Sequence, residues 1–97
     1  MELVIFARFH AREGAEAALA ATLRDAVLRT RAEPGCLAIG AYRSPHDPRL
    51  FFIHSRWVDE AAFQAHADLP ATMRFAEQAQ ALIDHALDVA RAHAIAA

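Results

Sequence analysis

Two prolines, Pro45 and Pro48, sit in the segment Ser44-Pro45-His46-Asp47-Pro48 between two apolar runs, Cys36 to Arg43 and Leu50 to Trp57. Proline fixes φ and has no N–H to give to a strand ladder. The segment is therefore a turn, and the runs it joins are predicted as an antiparallel hairpin. The second run ends in the only tryptophan, Trp57, and passes at once into Asp59-Glu60-Ala61-Ala62-Phe63-Gln64-Ala65-His66. Asp59 suits the cap of a new helix there. A hairpin that feeds straight into a helix points to a sheet with helices packed on it.

The flanking segments fit that plan. Leu3 to His10 is short, rich in large apolar residues and free of Gly and Pro, which predicts a strand. Arg12-Glu13-Gly14 is a turn. Ala15 to Ala32 is built from Ala, Leu, Arg and Glu, all good helix formers. Leu19, Leu23, Val27 and Thr30, with Ala26, form one stripe of that helix, while Arg24, Asp25, Arg29 and Arg31 lie mostly off it. Glu33-Pro34-Gly35 stops it. Asp59 to Ala67 is a short helix, and Pro70 suits the first turn of another that runs to about Ile83. Leu87 to Ile95 alternates larger residues with Asp88, Ala90, Ala92 and Ala94; this period of two predicts a strand, although its alanines favour helix. The order β-α-β-β-α-α-β over one domain, residues 1–97, is an α+β, ferredoxin-like split βαβ plan: an antiparallel sheet with helices on one face.

Composition limits the core. Of the 54 hydrophobic residues, 25 are alanine, which leaves 29 larger apolar side chains. That makes one small core. A bare second sheet face would be a large apolar patch, so the chain is expected to form a homodimer through its sheet faces. All ten basic residues are arginine and the formal net charge is -2. With a pI near 6.3, neither nucleic acid nor an anionic membrane is indicated as partner. Uncharged stretches are too short to span a bilayer. Met1-Glu2-Leu3-Val4-Ile5-Phe6 lacks the basic region and cleavage site of a signal peptide. The single Cys excludes an internal disulfide and a CxxC site. The expected compartment is the cytoplasm.

Trp57 and His66 are the residues from which chemistry can be built. By strand alternation Trp57 shares a face with Ser55, opposite His54 and Arg56. Phe63 and His66 are i, i+3 on one helical face, and Phe75 lies on the next helix. Trp57, Ser55, Phe63 and Phe75 are thus predicted to enclose a flat, weakly polar ligand between sheet and helices, with His66 beside it. Trp57 has two roles open to it. It completes the core, or it walls a pocket, stacks on a ring and offers its indole N–H to a ligand oxygen. His66 is either a half-exposed histidine with no partner or a general base, since a free imidazole titrates at about 6.5. A phenol titrates at about 10, as tyrosine does; a neutral imidazole can assist its deprotonation, and the anion can then pass an electron directly to O2. His10, His54 and His93 fall on strands and raise a metal site, but no local ligand spacing supports one, and no metal is expected. His46 and His85 fall in a turn and a loop and are expected to be solvated. Cys36, with no neighbouring base, reads as a small hydrophobe.

Four pieces of the chain resemble the antibiotic-biosynthesis monooxygenase family. They are Val4-Ile5-Phe6-Ala7-Arg8-Phe9 followed by Glu13-Gly14; Glu33-Pro34-Gly35-Cys36; Ser44 through Asp47-Pro48; and Trp57 with Asp59-Glu60-Ala61, Phe63, His66, Pro70 and Phe75. The resemblance implies a dimeric α+β barrel. It implies a cofactor-independent monooxygenase whose partners are a small phenolic or quinol-type aromatic and O2. The alternatives are a non-catalytic small-molecule-binding or stress-response protein and, third, an isomerase of a small signalling metabolite. Relatives often carry Glu where this chain has Ser55, His where it has Ala71, and Ser or Thr where it has Leu69. The haem-degrading branch fits least: its Asn, Trp and His fall at Ala7, His66 and about Ala76.

Overall fold

The computed structural model describes residues 1–97. Its elements run β1 (Leu3–His10), α1 (Glu16–Thr30), β2 (Cys36–Arg43), β3 (Leu50–Trp57), α2 (Glu60–Ala67), α3 (Pro70–Leu82) and β4 (Asp88–Ala92). The four strands form one sheet in the order β2-β3-β1-β4, and every neighbouring pair is antiparallel. This is the expected ferredoxin-like order. The helices cover one face. No helix is long and apolar enough to cross a membrane.

Strand alternation decides what each face carries. On β1, Leu3, Ile5, Ala7 and Phe9 are buried against the helices. On β3, Phe51, Ile53, Ser55 and Trp57 are buried, while Phe52 and Arg56 face out. The buried side of α1 is Leu19, Leu23, Ala26, Val27 and Thr30, the stripe its sequence spacing gives. The buried apolar side chains divide into two clusters. The larger contains Phe9, Leu19, Leu23, Val27, Phe51 and Ile83; the smaller is Leu3, Ile5 and Trp57.

β4 is shorter than the alternation of Leu87 to Ile95 suggests. Ala92 pairs with Val4, so only Leu3 of β1 remains to partner the residues beyond it. Ile95 is left fully exposed. On the outer face of the sheet Phe6, Tyr42 and Phe52 are 54%, 56% and 38% exposed. No helix of the subunit covers them.

Two connections fix the helices on the sheet. Asp59 caps α2 by accepting the Ala62 N–H at 2.9 Å. At the end of α1 the chain turns back through Gly35, whose φ is +81°. A Cβ at Gly35 would lie 2.6 Å from the Ala62 Cβ and 3.1 Å from a Val58 methyl. The Gly35 carbonyl also accepts the Val58 N–H at 2.9 Å. Gly35 is therefore held both by its left-handed backbone and by the closeness of α2.

Gly14 provides the comparison, since its φ is +86° but nothing lies within 4 Å of its Cβ position. Gly14→Ala is expected to cost about 1 kcal/mol, the backbone strain alone. Gly35→Ala adds the overlap with Ala62, a further cost of about 1–3 kcal/mol. Denaturant unfolding of both variants measures the difference; equal losses would show that α2 does not press on Gly35.

Candidate functional site

A cavity of about 460 Å³ lies between the inner face of the sheet and the helices. Ile5, Ala7, Ile53 and Ser55 form its floor, and Phe63, His66, Met73 and Phe75 come from α2 and α3. Arg29 and Thr30 of α1 and Leu87, Val89 and Arg91 at the β4 side complete the wall. Four of the five residues singled out from the sequence, Ser55, Phe63, His66 and Phe75, line this one chamber. A second cleft of about 360 Å³ runs between α1 and the β2 edge, past Arg24, Arg31 and Arg43. It presents no His, Cys or carboxylate.

His66 is not the unpartnered histidine its exposed-looking helix suggested. Its Nδ1 lies 2.6 Å from a carboxylate oxygen of Glu33, and the two side chains are only 14% and 16% exposed. The carboxylate can only accept, so Nδ1–H donates. That leaves the lone pair on Nε2, which makes no hydrogen bond inside the protein. No enclosed side-chain nitrogen or oxygen lacks a partner, so Nε2 is accessible. A ring so oriented is a base with its acceptor nitrogen free, the carboxylate-imidazole arrangement that fixes tautomer and direction. The His66 ring also sits 4.8 Å from the Trp57 ring and 5.7 Å from that of Phe63.

Glu33 is not among the site residues expected from the sequence, where Glu33-Pro34-Gly35 serves as a helix stop and as part of the family resemblance. The one available signal was a carboxylate beside a Pro-Gly turn, and the turn alone does not say what it packs against. Arg91 escaped for a related reason. It pairs with Ile5 across the sheet, on the helix side, and donates to Glu60 at 2.9 Å and Gln64 at 3.0 Å. Its guanidinium lies 4.9 Å over the Phe63 ring. These exposed contacts stabilise little individually, but they tie β4 to α2 at the cavity rim.

Trp57 requires a correction. It is fully buried and does not line the cavity. Its indole N–H is spent on Ser55 Oγ at 3.0 Å and is not available to a ligand. Burial behind Ser55 is the physical cause: the ring fills the smaller core cluster with Leu3 and Ile5. The indole backs the cavity wall and touches it only through Ser55, Phe63 and His66.

The remaining histidines also sort themselves out. His10 lies at the far end of β1, its Nδ1 2.7 Å from Asp84 and its Nε2 3.1 Å from Asp47. The hydrogen bond from His10 holds the Asp84 carboxyl below its ordinary range. Asp47 is lowered chiefly by the Arg49 backbone N–H, with His10 adding to it. His85 is not simply solvated, because its Nε2 accepts the His10 backbone N–H at 2.9 Å. His54 packs on Phe6 at 5.2 Å on the outer face. No three His, Cys, Asp or Glu side chains converge in a way that could hold a metal ion. Burial, with the Glu33 charge nearby, pushes the Cys36 thiol up, which disfavours the nucleophilic thiolate.

The family model described as antibiotic biosynthesis monooxygenase matches residues 3–78. No curated protein matches the chain. Among solved structures, Rv0793 from Mycobacterium tuberculosis superposes with a TM-score of 0.92 at 26% identity, covering 100% of this chain and 98% of that one. PA3566 from Pseudomonas aeruginosa gives 0.88 at 30% identity, with 98% and 95% covered. A variant of SnoaB, a cofactor-independent oxygenase from Streptomyces nogalater, gives 0.89 at 19% identity, with 99% and 95% covered. That last likeness is one of fold.

The Glu33 contact carries a direct test. In the neutral ring, His66 is expected to hold its proton on Nδ1 alone, read from its ring ¹⁵N chemical shifts at alkaline pH. Glu33→Gln weakens the acceptor and is expected to shift the ring toward a mixture of tautomers. An unchanged spectrum would remove Glu33 from the role.

Proposed function

Because the chain belongs to the antibiotic biosynthesis monooxygenase family, we propose that it is a monooxygenase of a small phenolic or quinol-type substrate, with His66 as general base. One observation supports this reading: the Glu33–His66 pair, 2.6 Å apart, leaves Nε2 free on a residue that lines a largely apolar cavity of about 460 Å³. The cavity suits a ring, since Phe63 and Phe75 stand on its walls and its polar groups are few. His66 Nε2 takes the hydroxyl proton of the bound phenol. The anion gives one electron to O2, and the resulting radical pair joins through a new C–O bond as a peroxide. Loss of water leaves the second oxygen atom on the ring as a quinone carbonyl. Phenol plus O2 becomes quinone plus water, with both electrons pairs supplied by the substrate, so no metal or flavin enters the sequence.

His66→Ala is expected to keep the fold and lower oxygen consumption by about 100- to 10,000-fold on a quinol or naphthol that the wild type accepts. Full activity in His66→Ala would leave the reaction to the substrate's own reactivity with O2. Tight aromatic binding with no oxygen uptake by the wild type would instead identify a binding protein.

The proposal includes a homodimer formed through the outer sheet face. Phe6, Tyr42 and Phe52 are exposed there, and a second copy covers them at least cost. The buried area per subunit is expected to exceed the roughly 800 Å² of a standard interface. Sedimentation at micromolar concentration is expected to return twice 10.6 kDa, and Phe6→Asp is expected to return the monomer. A wild-type monomer would sink the assembly.

A further inference from the structure

We propose that the Ser55 hydroxyl donates a hydrogen bond to an anionic oxygen of the ligand, with Trp57 as the positioning residue that holds it as a donor. This rests on reading the cavity as a site for an oxygenated aromatic. Ser55 is 3% exposed and lines the cavity. Its only hydrogen bond is the one it accepts from the Trp57 indole at 3.0 Å. An indole N–H can donate and never accept. The contact therefore occupies a lone pair of Ser55 and turns the serine proton away from the indole. No acceptor in the protein takes that proton. The one partner of Ser55 Oγ is itself a donor, so the serine proton is left for a ligand or water in the cavity that Ser55 lines.

Thr30 adds an independent observation. It too is 3% exposed and lines the chamber from α1, and its hydroxyl makes no hydrogen bond within the protein. Since no enclosed side-chain oxygen is left unpartnered, the Thr30 oxygen is not fully enclosed, on a residue that lines the cavity. Ser55 from the sheet and Thr30 from a helix thus line the same chamber as His66, a largely apolar space whose other polar lining is Thr72, Arg29 and Arg91. Their chemistry divides naturally. His66 accepts the proton of the ligand's hydroxyl, and Ser55 donates to the oxygen that the proton has left. A donor aimed at developing charge in a water-poor site favours the anion over the neutral phenol. The ligand class is thus an aromatic that reacts as its phenolate.

Trp57 is enclosed and touches no part of the cavity, so any effect of its N–H on a ligand runs through Ser55. The test uses 4-nitrophenol, whose anion absorbs in the visible and forms near neutral pH, and 4-nitrotoluene, which has a methyl group in place of the hydroxyl. Titration of bound 4-nitrophenol by absorbance is expected to show the wild type favouring the anion. Ser55→Ala and Trp57→Phe are each expected to lose about tenfold in anion affinity, the effect of one charge-assisted hydrogen bond, and to bind 4-nitrotoluene as the wild type does. The double variant loses no more than Ser55→Ala alone, because Trp57 acts on the ligand only through the Ser55 donor. Ser55→Ala that keeps the anion preference overturns the donor. A folded Trp57→Phe with full preference overturns the positioning role; should circular dichroism show that variant unfolded, Ser55→Ala decides alone. If both probes bind the wild type without preference for the anion, this inference falls and the proposed oxygenase stands. If neither binds, the aromatic site falls with it.

Discussion

Gly35 meets α2 with no room for a side chain, since a Cβ there would stand 2.6 Å from that of Ala62. Several features follow from this one approach. The turn after α1 is pinned to the helix that follows Trp57, and the Val58 N–H bonds to the Gly35 carbonyl. Glu33, two residues earlier, is carried to the side of α2 where His66 points, 33 residues away in the chain. The base and its carboxylate flank the β2–β3 hairpin, whose pairing of Cys36 with Trp57 brings the two segments side by side at its open end. The turn then packs closely on α2, which glycine permits because it has no Cβ and tolerates positive φ.

Alanine content shapes the rest. A chain with 25 alanines cannot fill the space between a four-stranded sheet and three helices with large side chains. The apolar residues gather instead into a larger cluster around Phe9 and Phe51 and a smaller one around Trp57. The cavity opens between them, floored by Ile5 of the smaller cluster, Ala7 and Ile53 of the larger, and Ser55. On the far side of the sheet the same shortage leaves Phe6, Tyr42 and Phe52 without cover. An open chamber inside and an apolar face outside therefore share one cause, too few large residues for the area of sheet presented.

Trp57 resolves a choice between core and site by serving both. Its ring is core, fully buried with Leu3 and Ile5. Its N–H acts at the site through Ser55, and its face supports the His66 ring at 4.8 Å. Ser55 stands where family members often carry Glu. A neutral hydroxyl there leaves Glu33 as the only carboxylate bonded to the imidazole, so the direction of the His66 ring is unambiguous.

The amino-acid sequence by itself determined the local layer of this protein. The period-two runs of β1 and β3, the Pro45–Pro48 turn, the Asp59 cap and the Leu19-Leu23-Val27 stripe are set by residues close in the chain, so their elements and buried faces were legible. The face shared by Ser55 and Trp57, and the i, i+3 pair Phe63 and His66, follow from strand and helix periods, which is why Ser55, Phe63 and His66 of the cavity lining could be named. Tertiary structure alone decided what those side chains touch. The Glu33–His66 bond, the Arg91 contacts with Glu60 and Gln64, and the His10 bridge between Asp47 and Asp84 span 27 to 74 residues. No periodicity reports such distances. Strand alternation put Trp57 on the correct face, but whether its indole met a ligand or a neighbouring serine depended on how deeply the helices closed over it. That depth is set by packing volume, and volume is summed over the whole fold.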